Sequence, residues 1–211
     1  MGEILKLRDI VYDETGMYFP DEKRYYFEGR FHKRMKDLKI SSVSKYCALL
    51  RDKKKGPEEL KNLMSELTIN ETSFFRNQPQ FTALKDIVFP EIIERKGNTA
   101  LKKIRIWSAG CSTGEEAYTI AIIINRLRKK GLKNWTIEIK GTDISHRVIE
   151  KAQKGVYRDY AVKRVPEDLK KEYFTKKDQE YHLAEEIKKS VNFSYCNLND
   201  DMSMMFMKNF D

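Results

Sequence analysis

The sequence predicts an α/β protein in which a helical bundle precedes a parallel sheet covered by helices. Apolar residues recur at helical spacing from Ile4 to about Leu67. Beyond residue 98 the pattern changes, because Lys103–Ala109 and Thr136–Asp143 are typical of strands and flank a helical pattern at Glu115–Lys130. That order of elements implies two parallel strands joined by a right-handed crossover.

Four short helices are predicted within the first 67 residues. An apolar stripe marks each of the first two helices. The first stripe consists of Ile4, Leu7, Ile10 and Val11, and the second of Phe27, Phe31, Met35 and Leu38. Ser41 or Ser42 can cap a third helix, and Pro57 suits the first turn of a fourth.

Shorter elements are predicted after the second strand. Ser145 can cap a helix that ends near Gly155, and another helix is expected from about Pro166 to Phe174. The segments 180–187 and 190–196 are rich in strand formers and predict a β-hairpin.

The composition favours a cytoplasmic protein without direct membrane insertion. No run approaches 18 apolar residues, and the N-terminus lacks the basic and apolar pattern of a signal peptide. Three cysteines and three histidines are scattered along the chain, so we expect neither a disulfide framework nor a metal site.

The net charge of +9 is concentrated in one segment. Between Lys23 and Lys55 there are twelve lysines and arginines but only three acidic residues, so the rest of the chain is neutral. Such a field attracts a polyanionic partner, which can be a nucleic acid, an anionic membrane surface or an acidic protein face. A solvated helix surface kept soluble by its charge is the simpler alternative.

The stretch "WSAGCSTGEEAYTI", residues 107 to 120, predicts a ligand-binding turn between a strand and a helix. Gly110 and Gly114 allow a ligand to approach the backbone, but their spacing is not that of a dinucleotide-binding fingerprint. Glu115 and Glu116 would repel a pyrophosphate and suit a cationic ligand. Glutamates in a first helical turn also complement the helix dipole; that interpretation is favoured for Glu115, while Glu116 is a candidate ligand contact.

Asp143, in "GTDIS", is predicted at the carboxyl end of the second strand. An acid at this position of a doubly wound sheet can bind ribose hydroxyls, and it can equally cap the following helix. Its pairing with the glycine turn favours the ribose role.

Together these motifs resemble those of the CheR-type chemotaxis receptor methyltransferases, and the resemblance covers nearly the whole chain. The motifs are "TINETSFFRNQPQF" (68 to 81), "IWSAGCSTGEEAYTIAI" (106 to 122), "GTDIS" (141 to 145), "KGVY" (154 to 157), the "VP…LKKEYF" segment and "VNFSYCNLND" (191 to 200). The resemblance implies a class I methyltransferase Rossmann-like sheet after the helical bundle, with a small inserted β-subdomain.

The resemblance also implies a cofactor and a reaction. The cofactor is S-adenosylmethionine, the product is S-adenosylhomocysteine, and the enzyme is a protein-glutamate O-methyltransferase. The implied cofactor contacts are Asn70, Thr72, Arg76, Glu116, Asp143, Asn197 and Leu198. Arg76 would in addition orient the incoming carboxylate, and Phe74 and Phe75 would anchor the linker on the sheet domain.

The implied partner is the cytoplasmic domain of a methyl-accepting chemotaxis receptor. By the resemblance, residues 1–67 dock on it, and the basic run that matches is Arg30, Lys33, Arg34 and Lys36. Residues 68–98 form the linker, and 99–211 form a partial cofactor-binding domain whose inserted subdomain spans about 157–193. The turn "TKKDQEYH" lacks the glycine-rich insertion associated with pentapeptide-dependent family members.

The chain departs from the family where it ends, at Asp211. Family members continue into further strands, so we expect a truncated chain whose Lys103–Ala109 strand presents an uncovered apolar edge, open to dimerisation or strand exchange. A non-catalytic adapter that keeps receptor or cofactor binding is therefore an alternative to the enzyme. A nucleic-acid methyltransferase is disfavoured, because no aromatic platform interleaves the basic residues.

Overall fold

The computed structural model describes residues 2–99, 101–132 and 134–211. They form two compact units. The first unit takes in the chain up to Ile69 together with Ile144–His146 and Cys196–Met207. The second unit contains Asn70–Asp143, Arg147–Tyr195 and Lys208–Asp211.

The helices and strands have the following bounds. The α-helices are α1 (Gly2–Thr15), α2 (Arg24–Asp37), α3 (Val43–Leu50), α4 (Gly56–Leu67), α5 (Gln78–Ala83), α6 (Phe89–Gly97), α7 (Glu115–Lys130), α8 (His146–Lys154), α9 (Asp159–Val162), α10 (Glu167–Tyr173), α11 (Glu185–Lys188) and α12 (Asp201–Met205). The strands are β1 (Lys103–Ala109), β2 (Thr136–Asp143), β3 (Val156–Arg158), β4 (Phe174–Lys177), β5 (Glu180–Leu183) and β6 (Val191–Tyr195). A 3-10 turn at Asp21–Lys23 precedes α2, and a π-helical turn at Leu84–Val88 joins α5 to α6. No helix in the described residues combines the length and apolar character needed to cross a bilayer.

The first unit is built on the four predicted helices, α1 to α4. Their buried side chains form one apolar core that includes Leu7, Val11, Phe27, Phe31, Met35, Tyr46 and Leu63. Ser42 is confirmed as the cap of α3, because its side chain accepts a hydrogen bond from the Lys45 amide. The prediction for Leu38 is wrong: α2 ends at Asp37, the chain turns at Lys39 with φ of 57°, and Leu38 is 40% exposed.

Arg34 must be removed from the predicted receptor-docking residues. Its Nε donates to Glu59 Oε1 at 2.9 Å and its Nη2 to Glu59 Oε2 at 2.6 Å, and Glu59 is buried between α2 and α4. Tyr46 also donates to Glu59 Oε1, at 2.7 Å. The Arg34 charge is thus neutralised inside the bundle and is not available to a partner.

The second unit contains the predicted parallel sheet, with the strand order β1-β2-β6. The predicted strands β1 and β2 and the predicted helix α7 are confirmed at their predicted bounds, and β1 pairs with β2 in parallel from Lys103 with Thr136 to Ala109 with Thr142. Parallel pairing brings the carboxyl ends of the strands to the same edge of the sheet. The glycine turn after β1 therefore lies beside the end of β2.

The hairpin predicted from segments 180–187 and 190–196 is wrong. The hairpin is instead β4 with β5, which turns at Asp178 with φ of 52°, and β3 pairs with β5 in a separate three-stranded sheet. We define the inserted subdomain as residues 156–183, which hold this sheet with α9 and α10, rather than the predicted 157–193, because β6 belongs to the parallel sheet. The strand β6 pairs in parallel with β2, where Phe193 lies so close to Gly141 that a Cβ there would be 2.5 Å from the Phe193 ring.

The outer edge of β1, predicted to be exposed, is covered at Lys103 and Arg105. Asp211 donates its amide to the Arg105 carbonyl at 2.9 Å, and its carboxylate accepts the Arg105 amide at 3.0 Å. Phe210 packs beside Trp107, with ring centroids 5.6 Å apart. The Lys96 ammonium donates a hydrogen bond to the backbone carbonyl of Lys103 at 2.9 Å. The backbone groups of Arg105 are therefore satisfied within the chain, and dimerisation or strand exchange through this edge stays a prediction.

Candidate cofactor site at the glycine turn

The turn between β1 and α7 depends on glycine at two positions for different reasons. Gly110 has φ of 68°, and a Cβ there would meet no atom within 4 Å, so open space lies above its backbone. Gly114 has φ of 91°, and a Cβ there would lie 2.9 Å from the Ala152 side chain and 3.0 Å from Phe193. Left-handed backbone favours glycine in both cases. Gly114 allows the start of α7 to pack closely against Ala152 and Phe193, whereas Gly110 leaves the turn accessible to a ligand.

Two hydrogen bonds hold the turn against the end of β2. Cys111 donates its amide to the Thr142 carbonyl at 2.8 Å, and Ser112 donates its amide to Asp143 Oδ2 at 2.9 Å. Asp143 is 7% exposed, and Ser112 is itself in left-handed backbone with φ of 50°. The Asp143 carboxylate therefore stabilises an unusual backbone conformation in addition to any role toward a ligand.

The two glutamates at the start of α7 differ in exposure. Glu116 is exposed and accepts a hydrogen bond from the Ser108 hydroxyl at 2.7 Å. Glu115 is 3% exposed and accepts from the Thr113 hydroxyl at 2.6 Å, and burial raises the pKa of its carboxyl above the usual range. Glu116 is thus the carboxylate that can meet a ligand at the mouth of the turn.

The thiol of Cys111 is expected to be unreactive. The side chain is buried, and burial together with the nearby Asp143 carboxylate raises the pKa of the thiol to about 12. A thiol with such a pKa stays protonated near neutral pH and is a poor nucleophile. Any chemistry at this turn must therefore use other groups.

The segment 70–76 is anchored beside the glycine turn. Asn70 accepts the Ser112 hydroxyl on its carbonyl at 3.1 Å, and Phe75 donates its amide to Thr119 Oγ1 at 3.2 Å. Phe74 is fully buried and makes edge-on contacts with Tyr157 and Phe174 at 4.8 and 5.0 Å between ring centroids. The predicted anchoring role of Phe74 and Phe75 is confirmed, because both belong to the core of the second unit.

The polar residues predicted in this segment have different environments. Asn70 and Thr72 are half-buried, and Arg76 is exposed. Arg76 donates from Nη1 to the Glu71 carbonyl at 2.6 Å, which folds its side chain back along its own segment. The second unit therefore contains Asn70, Thr72, Arg76, Glu116 and Asp143.

Asn197 and Leu198, the remaining predicted cofactor contacts, belong to the first unit. The side-chain Nδ2 of Asn197 donates to the Glu14 backbone carbonyl at 2.7 Å, and its Oδ1 accepts from the backbone amide of Asn199 at 3.0 Å. Leu198 is 53% exposed. Their contact with a cofactor stays a prediction.

Sequence reasoning missed three residues that shape the turn: Ser108, Ser112 and Tyr157. Tyr157 is buried in β3, and its hydroxyl donates to the Thr113 carbonyl at 2.9 Å. Burial raises the pKa of this phenol well above its usual value, so it remains a hydrogen-bond donor. The motif "KGVY" contained Tyr157, but only the fold shows that a residue 44 positions later reaches the glycine turn.

A cavity of about 390 Å³ lies elsewhere in the second unit, between α5, α7 and α10. Its apolar lining includes Phe75, Phe81, Ile122, Ile123 and Leu169. None of the predicted cofactor residues lines it. The glycine turn is the candidate cofactor site, because carboxylates and accessible backbone occur together there.

The residues at the turn fit S-adenosylmethionine. The open space above Gly110 can receive a ligand at the backbone, and the Glu116 and Asp143 carboxylates border that turn. Carboxylates suit the sulfonium and ammonium charges of this cofactor, and one at the end of β2 suits a ribose diol.

Comparison with known proteins decides the family. Residues 2–68 match the description "CheR methyltransferase, all-alpha domain", and residues 70–211 match "CheR methyltransferase, SAM binding domain". The chain belongs to the CheR methyltransferase family. The predicted fold class, a helical domain followed by an S-adenosylmethionine-binding methyltransferase domain, is thereby confirmed.

Several relatives are similar to this CheR methyltransferase along most of its length. The chemotaxis protein methyltransferase of Borreliella burgdorferi is 33% identical over 210 residues, which cover 99% of this chain and 74% of the relative. Chemotaxis protein methyltransferase 2 of Vibrio cholerae is 34% identical over 199 residues, covering 94% and 67%. A probable biofilm formation methyltransferase of Pseudomonas aeruginosa is 32% identical over 173 residues, covering 82% and 39%.

Proposed function

We propose that this protein transfers the methyl group of S-adenosylmethionine to glutamate side chains on the cytoplasmic domains of methyl-accepting chemotaxis receptors, and that it acts in the cytoplasm. The observation that supports this most is the pair of carboxylates, Glu116 and Asp143, beside an accessible glycine turn in a chain of the CheR methyltransferase family. The names of two relatives, both chemotaxis protein methyltransferases, support the receptor as substrate.

The proposed reaction needs positioning more than acid–base chemistry. When bound, S-adenosylmethionine supplies an electrophilic methyl group on a sulfonium. A substrate carboxylate oxygen would accept that methyl group, and S-adenosylhomocysteine would be the product. Because a glutamate is already ionised near neutral pH, no general base is required. The rate enhancement then comes from alignment and desolvation of the carboxylate.

Arg76 is the proposed orienting residue for the substrate carboxylate. Its guanidinium is exposed, and one nitrogen is fixed by the Glu71 carbonyl at 2.6 Å. A guanidinium can bind both oxygens of a carboxylate in one plane, which restricts the direction of attack. Asp143 and Glu116 are the proposed partners of the cofactor's ribose and positive charges.

Receptor docking is proposed for the exposed basic side of α2, with Arg34 removed. Arg30 lies 4.9 Å from the centroid of the Tyr26 ring, and Lys33 pairs with Glu66 at 2.7 Å on the exposed side. Lys36 is exposed in the last turn of the helix. Exposed ion pairs contribute little, so an acidic partner can displace Glu66 from Lys33.

Transfer of a radiolabelled methyl group to purified receptor cytoplasmic fragments tests the proposal. We expect base-labile label on the receptor, because methyl esters hydrolyse in alkali. A titration with S-adenosylmethionine runs in parallel. Binding of cofactor and receptor without labelling would support the adapter instead, and absence of cofactor binding would refute the proposed site.

A further inference from the structure

An exposed charged cluster lies where the segment 70–76 meets α9 of the inserted subdomain. The Phe74 amide donates to the Ala161 carbonyl at 2.9 Å, which fixes the two segments to each other. The Tyr160 hydroxyl donates to Glu71 Oε1 at 2.5 Å, although Tyr160 is 51% exposed. The cluster is therefore a defined junction within the second unit.

Three cations belong to this junction. Arg76 donates from Nη1 to the Glu71 carbonyl at 2.6 Å. Arg164 donates from Nη1 to the Arg76 carbonyl at 3.3 Å and approaches the Ser73 hydroxyl at 3.5 Å. The Lys163 ammonium lies 3.9 Å from the centroid of the Tyr160 ring. Both guanidiniums thus line the same short segment of backbone.

The junction carries more positive than negative charge, with Arg76, Lys163 and Arg164 against Glu71 and Asp159. Within the residues that the structure describes, Arg76, Arg164 and Lys163 form no ion pair with a carboxylate. The Glu71 carboxylate is engaged by Tyr160, and this bond is the main reason that the pKa of Tyr160 is raised. The charges of Arg164 and Arg76 act on the pKa of the same phenol in the opposite direction.

We propose that Arg76 and Arg164 together form a carboxylate-binding subsite for the polypeptide substrate, with Arg164 as a substrate-binding residue contributed by the inserted subdomain. This inference rests on the proposed function. The hydrogen bonds of Arg164 to neutral groups are long, at 3.3 and 3.5 Å, so its guanidinium gains from a carboxylate. The planar fork of a guanidinium binds that group in a fixed orientation. A substrate glutamate is such a group.

In the proposed subsite, the hydrogen bond between Tyr160 and Glu71 has a role. Glu71 lies in the same segment as Arg76, and the Tyr160 hydroxyl engages one oxygen of its carboxylate. The Glu71 backbone carbonyl meanwhile fixes Arg76. The guanidiniums therefore remain available to an incoming acid, and substrates rich in acidic side chains are favoured over neutral ones.

The test compares Arg164→Gln and Arg164→Lys with Lys177→Gln, which removes an exposed cation from β4 of the same subdomain. Calorimetry measures S-adenosylhomocysteine affinity, and label transfer to a receptor cytoplasmic fragment gives KM and kcat. For Arg164→Gln we expect unchanged cofactor affinity and a loss of kcat/KM of about 10-fold or more, mostly in KM. Arg164→Lys should recover part of the loss, since it restores charge without the fork, and Lys177→Gln should change kcat/KM by less than about 2-fold.

The outcomes distinguish a substrate-binding role of Arg164 from a structural one. An unchanged kcat/KM for Arg164→Gln, or an equal loss for Lys177→Gln, would overturn the subsite. Loss of cofactor affinity would assign Arg164 a structural role in holding the segment 70–76 and would also overturn it. If the wild-type chain transfers no methyl group, the proposed function fails, and the affinity of wild type and Arg164→Gln for the receptor fragment then decides the subsite by itself.

Discussion

Arg34 and Glu59 form a two-pronged ion pair inside the helical unit, with N–O distances of 2.9 and 2.6 Å. The Glu59 side chain is 5% exposed and that of Arg34 16%. Tyr46 supplies a third hydrogen bond to the buried carboxylate. The pair joins α2 to α4 and belongs to the stability of the unit.

Arg34→Ala should destabilise the protein by about 3 kcal/mol, because it leaves the buried Glu59 carboxylate without its cation. Urea denaturation monitored by circular dichroism measures this change. Lys33→Ala is the matched control, since the Lys33 side chain is 52% exposed and its pair with Glu66 should contribute less than about 1 kcal/mol. Equal losses of stability for both variants would contradict the assigned role of the Arg34 pair.

The sequence predicted those parts of the fold whose signal is local. The alternating strand β1, the glycine-bounded helix α7 and the strand β2 each had their own periodicity and end signals, and all three are confirmed. The strand β6 was paired with the wrong partner, because strand pairing depends on contacts distant in sequence. Phe193 packs against Gly141, 52 positions away, and no local pattern reveals that contact.

Predictions for the functional residues had the same limit. The residue types in "STGEE" and "GTDIS" pointed to the turn, and the structure places Ser112 and Asp143 in direct contact there. Arg34 was misjudged, because a basic residue beside an apolar stripe has the same sequence signature whether it faces solvent or a buried acid. Only the position of Glu59, 25 residues later, separates the two cases.

Asp143→Asn should weaken S-adenosylmethionine binding by about 1 to 3 kcal/mol. Asparagine keeps an oxygen that can accept the Ser112 amide, so the turn is preserved while the negative charge is lost. Isothermal titration calorimetry measures the affinity. Glu138→Gln, an exposed acid on the same strand, is the control and should leave the affinity unchanged. Unaltered affinity for Asp143→Asn would remove this carboxylate from the cofactor site.

Alanine substitutions should separate the two glycines of the turn. Gly114→Ala should cost about 2 to 4 kcal/mol of stability, because it adds backbone strain and places a methyl group 2.9 Å from Ala152. Gly110→Ala should cost only about 1 to 2 kcal/mol, since its methyl group meets open space. We expect Gly110→Ala to reduce cofactor affinity more than its loss of stability explains, because that space is where a ligand approaches. Thermal unfolding and calorimetry together test this, and retention of full cofactor affinity by Gly110→Ala would place the ligand elsewhere.

Glu115→Gln should stabilise the protein at neutral pH. Burial raises the pKa of the Glu115 carboxyl above its ordinary value of 4.5, so the folded state binds its proton more tightly than the unfolded state does. Its ionised form therefore opposes folding, and this cost appears as the pH rises from the unfolded pKa through the folded one. Glutamine removes the charge while keeping an oxygen for the Thr113 hydroxyl.

The gain from Glu115→Gln should consequently depend on pH. Well below pH 4.5 the carboxyl is protonated in both states, and the variant should match the wild type. Above the raised folded pKa the gain should reach its full value and then stay constant. Urea unfolding at a series of pH values measures the difference in free energy of unfolding. Glu116→Gln, on the exposed side of the same helical turn, is the control, and a gain that fell with rising pH would show that Glu115 is stabilised, rather than opposed, as an anion.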